Sequence, residues 1–163
     1  MPVPADVDLD VCSGARPVNI QIALCLPQDA ETVAVVRSVA LAALVQMGVA
    51  PECIDDIRLA LSEACTNVIE HAGATEDYEV RLDLDSERCA ISVIDGGRGV
   101  DVSGLSSAMP DPESPRGRGI ALMTALTDSV EFSARPGVGT TVCFLKRLNL
   151  TADGPLAPLR HSG

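Results

Sequence analysis

Lysine is almost absent from this chain: of its 12 basic residues, Lys146 is the single lysine and the rest are arginine. A Walker-type phosphate loop, G-x-x-x-x-G-K-[ST], needs a lysine inside a glycine-rich turn. Lys146 has no such surroundings, so that route to a nucleotide is excluded. The V-A-I-K lysine of the common protein-kinase fold is missing as well. Aromatic residues are equally scarce, with no Trp, one Tyr and two Phe, and the net charge is −11. A nucleic-acid surface needs cations against phosphate and often rings to stack on bases, so direct DNA or RNA binding is not expected. The same acidity disfavours an anionic membrane surface. The six cysteines (Cys12, Cys25, Cys53, Cys65, Cys89 and Cys143) form no C-x-x-C pair, which removes zinc-ribbon and thioredoxin readings. They read as reduced, mostly buried thiols of a cytoplasmic protein. The N-terminus MPVPADVDLD is acidic, lacks an apolar core and does not read as a signal peptide.

What is present suits one folded domain. The chain has 163 residues, 47% of them hydrophobic, and a mean hydropathy of +0.24. Residues 1–16 are polar and Pro-containing and are expected to be a flexible arm. Residues 17–149 are expected to hold the domain, and residues 150–163 a disordered tail. Val18 to Leu26 alternates as a half-buried strand does, with Val18, Ile20, Ile22, Leu24 and Leu26 on one face. A helix follows from Asp29, a plausible N-cap, to about Met47, with Gly48 as its stop. Arg37, Ser38 and Gln46 interrupt its apolar run, so it reads as a core helix and not a membrane span. Pro51 opens a second helix to about His71. Strands are expected over Tyr78–Asp85 and Arg88–Asp95, and a closing hairpin over Val130–Arg135 and Thr140–Leu148. Between Gly96 and Arg118 the chain is rich in Gly, Ser, Pro and Asp, as functional lids are. A short helix is expected from Gly119 to about Thr127. Strands gather on one side and helices on the other, an α+β arrangement in which one mixed, mostly antiparallel sheet is covered by helices on one face.

Four local patterns carry chemistry. In the second helix Glu63, Asn67 and His71 recur every four residues beside the apolar stripe of Ile57, Leu61, Ala64, Cys65 and Val68. Asn67 offers a neutral oxygen to a hard cation such as Mg²⁺, and a carboxylate one turn away accepts or orients a proton. The same spacing also describes the plain polar face of an amphipathic helix. In Val93-Ile94-Asp95-Gly96-Gly97-Arg98-Gly99, Asp95 suits the exocyclic amine of adenine and rejects the carbonyl of guanine, while Gly97 and Gly99 allow close backbone approach. As an isolated pattern it is equally an Asp-Gly turn. In Arg116-Gly117-Arg118-Gly119 two glycines open a helix whose N-terminal N–H groups suit phosphate without any lysine. In Gly139-Thr140, the Thr hydroxyl either reaches a base or caps a hairpin.

Taken in order, the E-x-x-x-N helix, the D-x-G-x-G loop, the G-x-G helix start and the terminal G-T resemble the N, G1 and G2 boxes of the Bergerat-type, histidine-kinase-like ATPases. The run LALSEACTNVIEHAG and the chain length are similar to the RsbW-type anti-sigma-factor serine kinases of bacteria, over about residues 18–148. That resemblance implies roles. Glu63 matches the catalytic carboxylate and Asn67 the Mg²⁺ ligand. Asp95 matches the adenine-recognising residue, with Gly97 and Gly99 beside it. Gly117 and Gly119 match the phosphate-side glycines, Thr140 the threonine near adenine, and His71 a position close to the phosphates. Residues 100–116 match the ATP lid. Arg116 and Arg118 depart from the family pattern of Gly and an apolar residue, and add positive charge at the phosphate side. The resemblance further implies ATP and Mg²⁺ as cofactors, a STAS-type anti-anti-sigma protein as substrate, a sigma factor as captive partner, and a homodimer. The alternative is a nucleotide-dependent binding module that sequesters a regulatory partner without transferring phosphate.

Overall fold

The computed structural model describes residues 18–71, 77–95, 113, 115–135 and 139–156. Five strands and three helices follow in the order β1 (Ile20–Pro27), α1 (Ala30–Met47), α2 (Pro51–His71), β2 (Asp77–Leu84), β3 (Arg88–Asp95), α3 (Pro115–Leu126), β4 (Ser129–Arg135) and β5 (Gly139–Arg147). The strands form one sheet in the order β1-β2-β3-β5-β4. All four pairings are antiparallel, so the expected mixed sheet contains no parallel pair among the described residues. The reason lies in the connections. The helical pair α1–α2 joins β1 to its neighbour β2 and returns the chain in the opposite direction. The two hairpins add strands of opposite direction by construction.

Period-2 alternation decides which face is covered. Along β2, Tyr78, Val80, Leu82 and Leu84 are buried; along β3, Cys89, Ile91, Val93 and Asp95 are. Their neighbours face out on the open side, where Asn19 donates to Asp83 at 3.1 Å and Arg81 meets Glu79 at 2.6 Å. The helices cover the other face. The predicted stripe of α2 is the centre of the core, with Ile57, Leu61, Ala64, Cys65 and Val68 all buried. Truncating such a residue as Leu61 to Ala would cost about 2–5 kcal/mol.

Helix ends follow the expected chemistry. Asp29, in extended geometry, accepts from the Glu31 N–H at 3.0 Å and caps α1. Gly48 ends α1 at φ +80°, a left-handed conformation that costs glycine little. Helix α1 is long and apolar enough to meet the length and composition test for a membrane span. It packs on the sheet and α2 through Val36, Ala40, Ala43, Leu44 and Met47, and leaves Val35, Leu41 and Val45 exposed.

Two boundaries differ from expectation. Helix α3 begins at Pro115, earlier than the predicted Gly119, because proline at a first helical position offsets the two glycines that follow. The tail expected from residue 150 is tied down at its start. Val49 pairs with Leu150, Thr151 N–H donates to Gly48 at 2.7 Å, and Leu156 N–H donates to Gln46 at 3.2 Å. Gly154 packs directly on Gly48, where a β-carbon on Gly48 would lie 2.7 Å from the Gly154 Cα. The single lysine has a structural post: Lys146 Nζ donates to Asp56 at 2.9 Å and to the Leu126 carbonyl at 2.7 Å, joining α2, β5 and the end of α3. The expected N-terminal arm, residues 1–16, lies outside the described residues.

Candidate functional site

Glu63, Asn67 and Gly119 come together where α2 packs on α3. A β-carbon on Gly119 would stand 2.9 Å from Glu63 Oε2 and 3.5 Å from Asn67 Oδ1. Helix α3 therefore approaches α2 closely at a residue without a side chain: the Glu63 carboxylate occupies the space a methyl group would need, and the Asn67 carboxamide would stand in ordinary contact with it. Asn67 is 6% exposed, so the polar stripe of α2 is not its solvent face. Its Nδ2 is buried without a hydrogen-bond partner among the described residues. A buried amide left so costs about 1–3 kcal/mol, and native proteins seldom retain one without a use. Gly117, in the first turn of α3, is buried like Gly119, whereas Arg118 between them is exposed.

A second group of polar side chains lies at one end of the sheet. Asp95 closes β3 and is 3% exposed; Thr140, near the start of β5, is 6% exposed. Ile94 pairs with Thr141, so Asp95 and Thr140, the next residue on each strand, stand side by side. On its other side Asp95 pairs with Tyr78. Thr32 Oγ1 lies 2.7 Å from the Tyr78 hydroxyl and 2.6 Å from the Asp29 carbonyl. A hydroxyl has one proton, so Thr32 donates it to the carbonyl and accepts from Tyr78. Burial pushes the Tyr78 hydroxyl pKa above its ordinary value. This strap fixes the β1–α1 corner. At that corner Gln28 Nε2 donates to Asp95 Oδ1 at 3.3 Å. Gln28 carried no signal in the sequence, since a lone polar residue between a strand and a helix is ordinary and only the strand order brings it to Asp95.

The predicted residues thus fall into two groups held by one framework: Glu63, Asn67 and Gly119 between the helices, and Asp95 and Thr140 at the sheet end. Gly97 and Gly99, the side chains of His71 and Arg116, and the expected lid apart from Glu113 and the first residues of α3 lie outside the described residues. Among the described residues no group of three His, Cys, Asp or Glu side chains is placed to hold a metal ion. Desolvation holds the Cys65 and Cys89 thiols up at about 12, far from the thiolate form.

The antiparallel sheet under α2 and α3, with a carboxamide buried between those helices, defines the class: a histidine kinase-like ATPase domain, whose family model matches residues 26–146. Serine-protein kinase RsbW of Bacillus velezensis is 32% identical over 139 residues, covering 78% of this chain and 86% of that protein. Serine-protein kinase RsbW of Bacillus cereus (strain G9842) is 29% identical over 145 residues, covering 82% and 91%. The chain belongs to the histidine kinase-like ATPase domain family and, within it, to the RsbW-type serine-protein kinases. A crystal structure of the RsbU and RsbW domains of a Mycobacterium tuberculosis protein shares the fold, with a TM-score of 0.61 at 22% identity over 79% of this chain. The present chain spans 32% of that longer one.

Proposed function

We propose that this protein is an ATP- and Mg²⁺-dependent serine kinase that acts as an anti-sigma factor, phosphorylating a STAS-type anti-anti-sigma protein and sequestering a sigma factor in the cytoplasm. The observation that carries this reading is the Glu63 carboxylate beside the buried Asn67 carboxamide, where α3 passes close to α2 at Gly119. Glu63 orients the serine hydroxyl of the substrate protein and accepts its proton as the oxygen attacks the γ-phosphorus. The bond from the γ-phosphorus to the β–γ bridging oxygen breaks, and ADP leaves. Asn67 would hold Mg²⁺, and the bound ion would neutralise charge on the phosphates. The α3 N-terminus, with Gly117, Arg118 and Gly119, faces those phosphates with the positive end of its dipole and an added positive charge. At the sheet end, Asp95 accepts a hydrogen bond from the adenine amine, with Thr140 beside it. Catalysis of this kind is positioning and charge neutralisation. The protein forms a homodimer through α1, whose exposed Val35, Leu41 and Val45 supply an apolar face.

The test is transfer of label from γ-labelled ATP to the cognate anti-anti-sigma protein, using wild type and Glu63→Ala. Wild type labels the substrate protein. Glu63→Ala binds ATP with nearly unchanged affinity and transfers at least about 100-fold more slowly, the usual worth of a general base. Nucleotide binding without transfer by the wild type would instead make the protein a sequestering module. Equal transfer by the two would reject Glu63 as the base.

A further inference from the structure

Gln28 has a carboxamide with one end engaged and the other not. Its Nε2 donates to Asp95 Oδ1 at 3.3 Å. Its Oε1 is buried without a hydrogen-bond partner among the described residues. The orientation is fixed by chemistry: an ionised carboxylate only accepts, so the NH₂ group faces Asp95 and the oxygen must point elsewhere. The position is fixed too. Gln28 lies between the end of β1 and the Asp29 cap of α1, and the Thr32–Tyr78 bond ties that corner to β2, the strand between β1 and β3. A desolvated acceptor is therefore held in place next to Asp95, with no donor for it among the described residues.

We infer that Gln28 is a base-selecting residue, which holds Asp95 through its amide nitrogen and offers its amide oxygen to the second hydrogen of the exocyclic amine of adenine. This rests on the reading of Asp95 as the adenine acceptor and extends it. A 6-aminopurine carries two hydrogens on that nitrogen and satisfies two acceptors. A 6-oxopurine carries none and leaves two acceptors facing a third. One carboxylate alone would favour the amine; a second, neutral acceptor adds to the discrimination without adding charge that would repel the triphosphate.

The inference is tested by nucleotide affinity of the full chain, without any partner protein. ATP, inosine triphosphate and N6-methyl-ATP are titrated against wild type, Gln28→Met, Gln28→Ala and Asp95→Asn. In both Gln28 variants ATP affinity falls about 3- to 10-fold, the worth of one hydrogen bond, while inosine triphosphate affinity stays within about 2-fold. The preference for ATP over N6-methyl-ATP, which lacks one amine hydrogen, shrinks by a similar factor. Asp95→Asn weakens ATP by about 10-fold or more, the larger loss of a charge-assisted bond. If Asp95→Asn weakens ATP but both nucleotide ratios are unchanged in the Gln28 variants, the inference fails and the adenine site stands. If Asp95→Asn has no effect on ATP, the adenine site is elsewhere and both readings fall.

Discussion

Gly119 and Glu63 are in contact in a way that leaves no free space for a larger residue at 119: a β-carbon there would sit 2.9 Å from Glu63 Oε2. The atom in the way is the tip of a flexible side chain, so it is the carboxylate that yields and not the backbone. Gly119 lies inside α3, where alanine is preferred over glycine by about 1 kcal/mol. Gly119→Ala is expected to leave the melting temperature unchanged or slightly raised while phosphoryl transfer falls at least about 10-fold, because Glu63 no longer stands where the substrate hydroxyl needs it. Thermal melting and single-turnover transfer on the same preparation check this. A variant that melts early, or one that transfers normally, contradicts the geometry.

Asn67 makes the opposite prediction for stability and function. Its Nδ2 is buried and has no partner among the described residues, so replacing the amide with an apolar group of similar size removes a desolvation cost. Asn67→Leu is expected to melt at the same or a higher temperature than wild type in the absence of nucleotide. It should also lose the gain in ATP affinity that Mg²⁺ gives the wild type. Calorimetric titration of ATP with and without Mg²⁺ is the measurement. Retention of the Mg²⁺ effect in the variant would place the cation on other ligands.

The sequence carried the framework well because periodicity is a direct imprint of burial. Alternation along Val18–Leu26 and Tyr78–Asp85 marked the covered faces of two strands, and the apolar stripe of α2 is the observed core. Asp29 and Gly48 were legible as helix ends because capping and left-handed geometry each demand a particular residue type. The α3 start was not legible, since two glycines read locally as loop and outweighed the proline that opens the helix. The burial of Asn67 was hidden for a related reason: helical spacing places it beside the apolar stripe but does not say that a third helix closes over it. Gln28 and the docked 149–156 segment depend on contacts between residues far apart in sequence, which no local pattern encodes.

The buried thiols set a pH dependence of stability. Cys65 and Cys89 each rise from 9.0 to about 12 on burial, and Tyr78 rises from 10.0 in the same direction. Each is neutral when protonated and is held protonated by the fold. Below about pH 9 both folded and unfolded chains keep the protons, and the contribution is fully present. Between about 9 and 12 the unfolded chain releases them and the folded one does not, so stability falls as pH rises. Urea midpoints measured from about pH 8 to 11 are expected to decline, and the slope should be shallower in Cys65→Ala/Cys89→Ala. In the native state at about pH 8, a maleimide should modify exposed Cys25 and spare Cys65 and Cys89. A flat urea profile, or rapid native labelling at Cys65 or Cys89, would show that these thiols are reached by solvent.

Gly48 and Gly154 make one joint serve two ends of the chain. Gly48 must be left-handed to close α1, and Gly154 lies against it so tightly that neither position has space for a methyl group. Alanine at 48 meets both obstacles: the left-handed conformation costs about 1–2 kcal/mol, and the clash with the Gly154 backbone must be relieved as well. Gly154→Ala meets only the second, and relief there comes from lifting the 149–156 segment off α1. Gly48→Ala is therefore expected to lose at least about 2 kcal/mol, or roughly 4–8 °C in melting temperature for a chain of this size. Gly154→Ala should lose less, while the amides of Ala50, Thr151 and Leu156 lose protection from hydrogen exchange. Deleting residues 149–163 should then bring Gly48→Ala and its parent closer together, because the backbone that the new methyl group strikes is gone. If the gap between them is as wide in the truncated pair as in the full chain, the cost at 48 is conformational alone and the glycine contact contributes nothing.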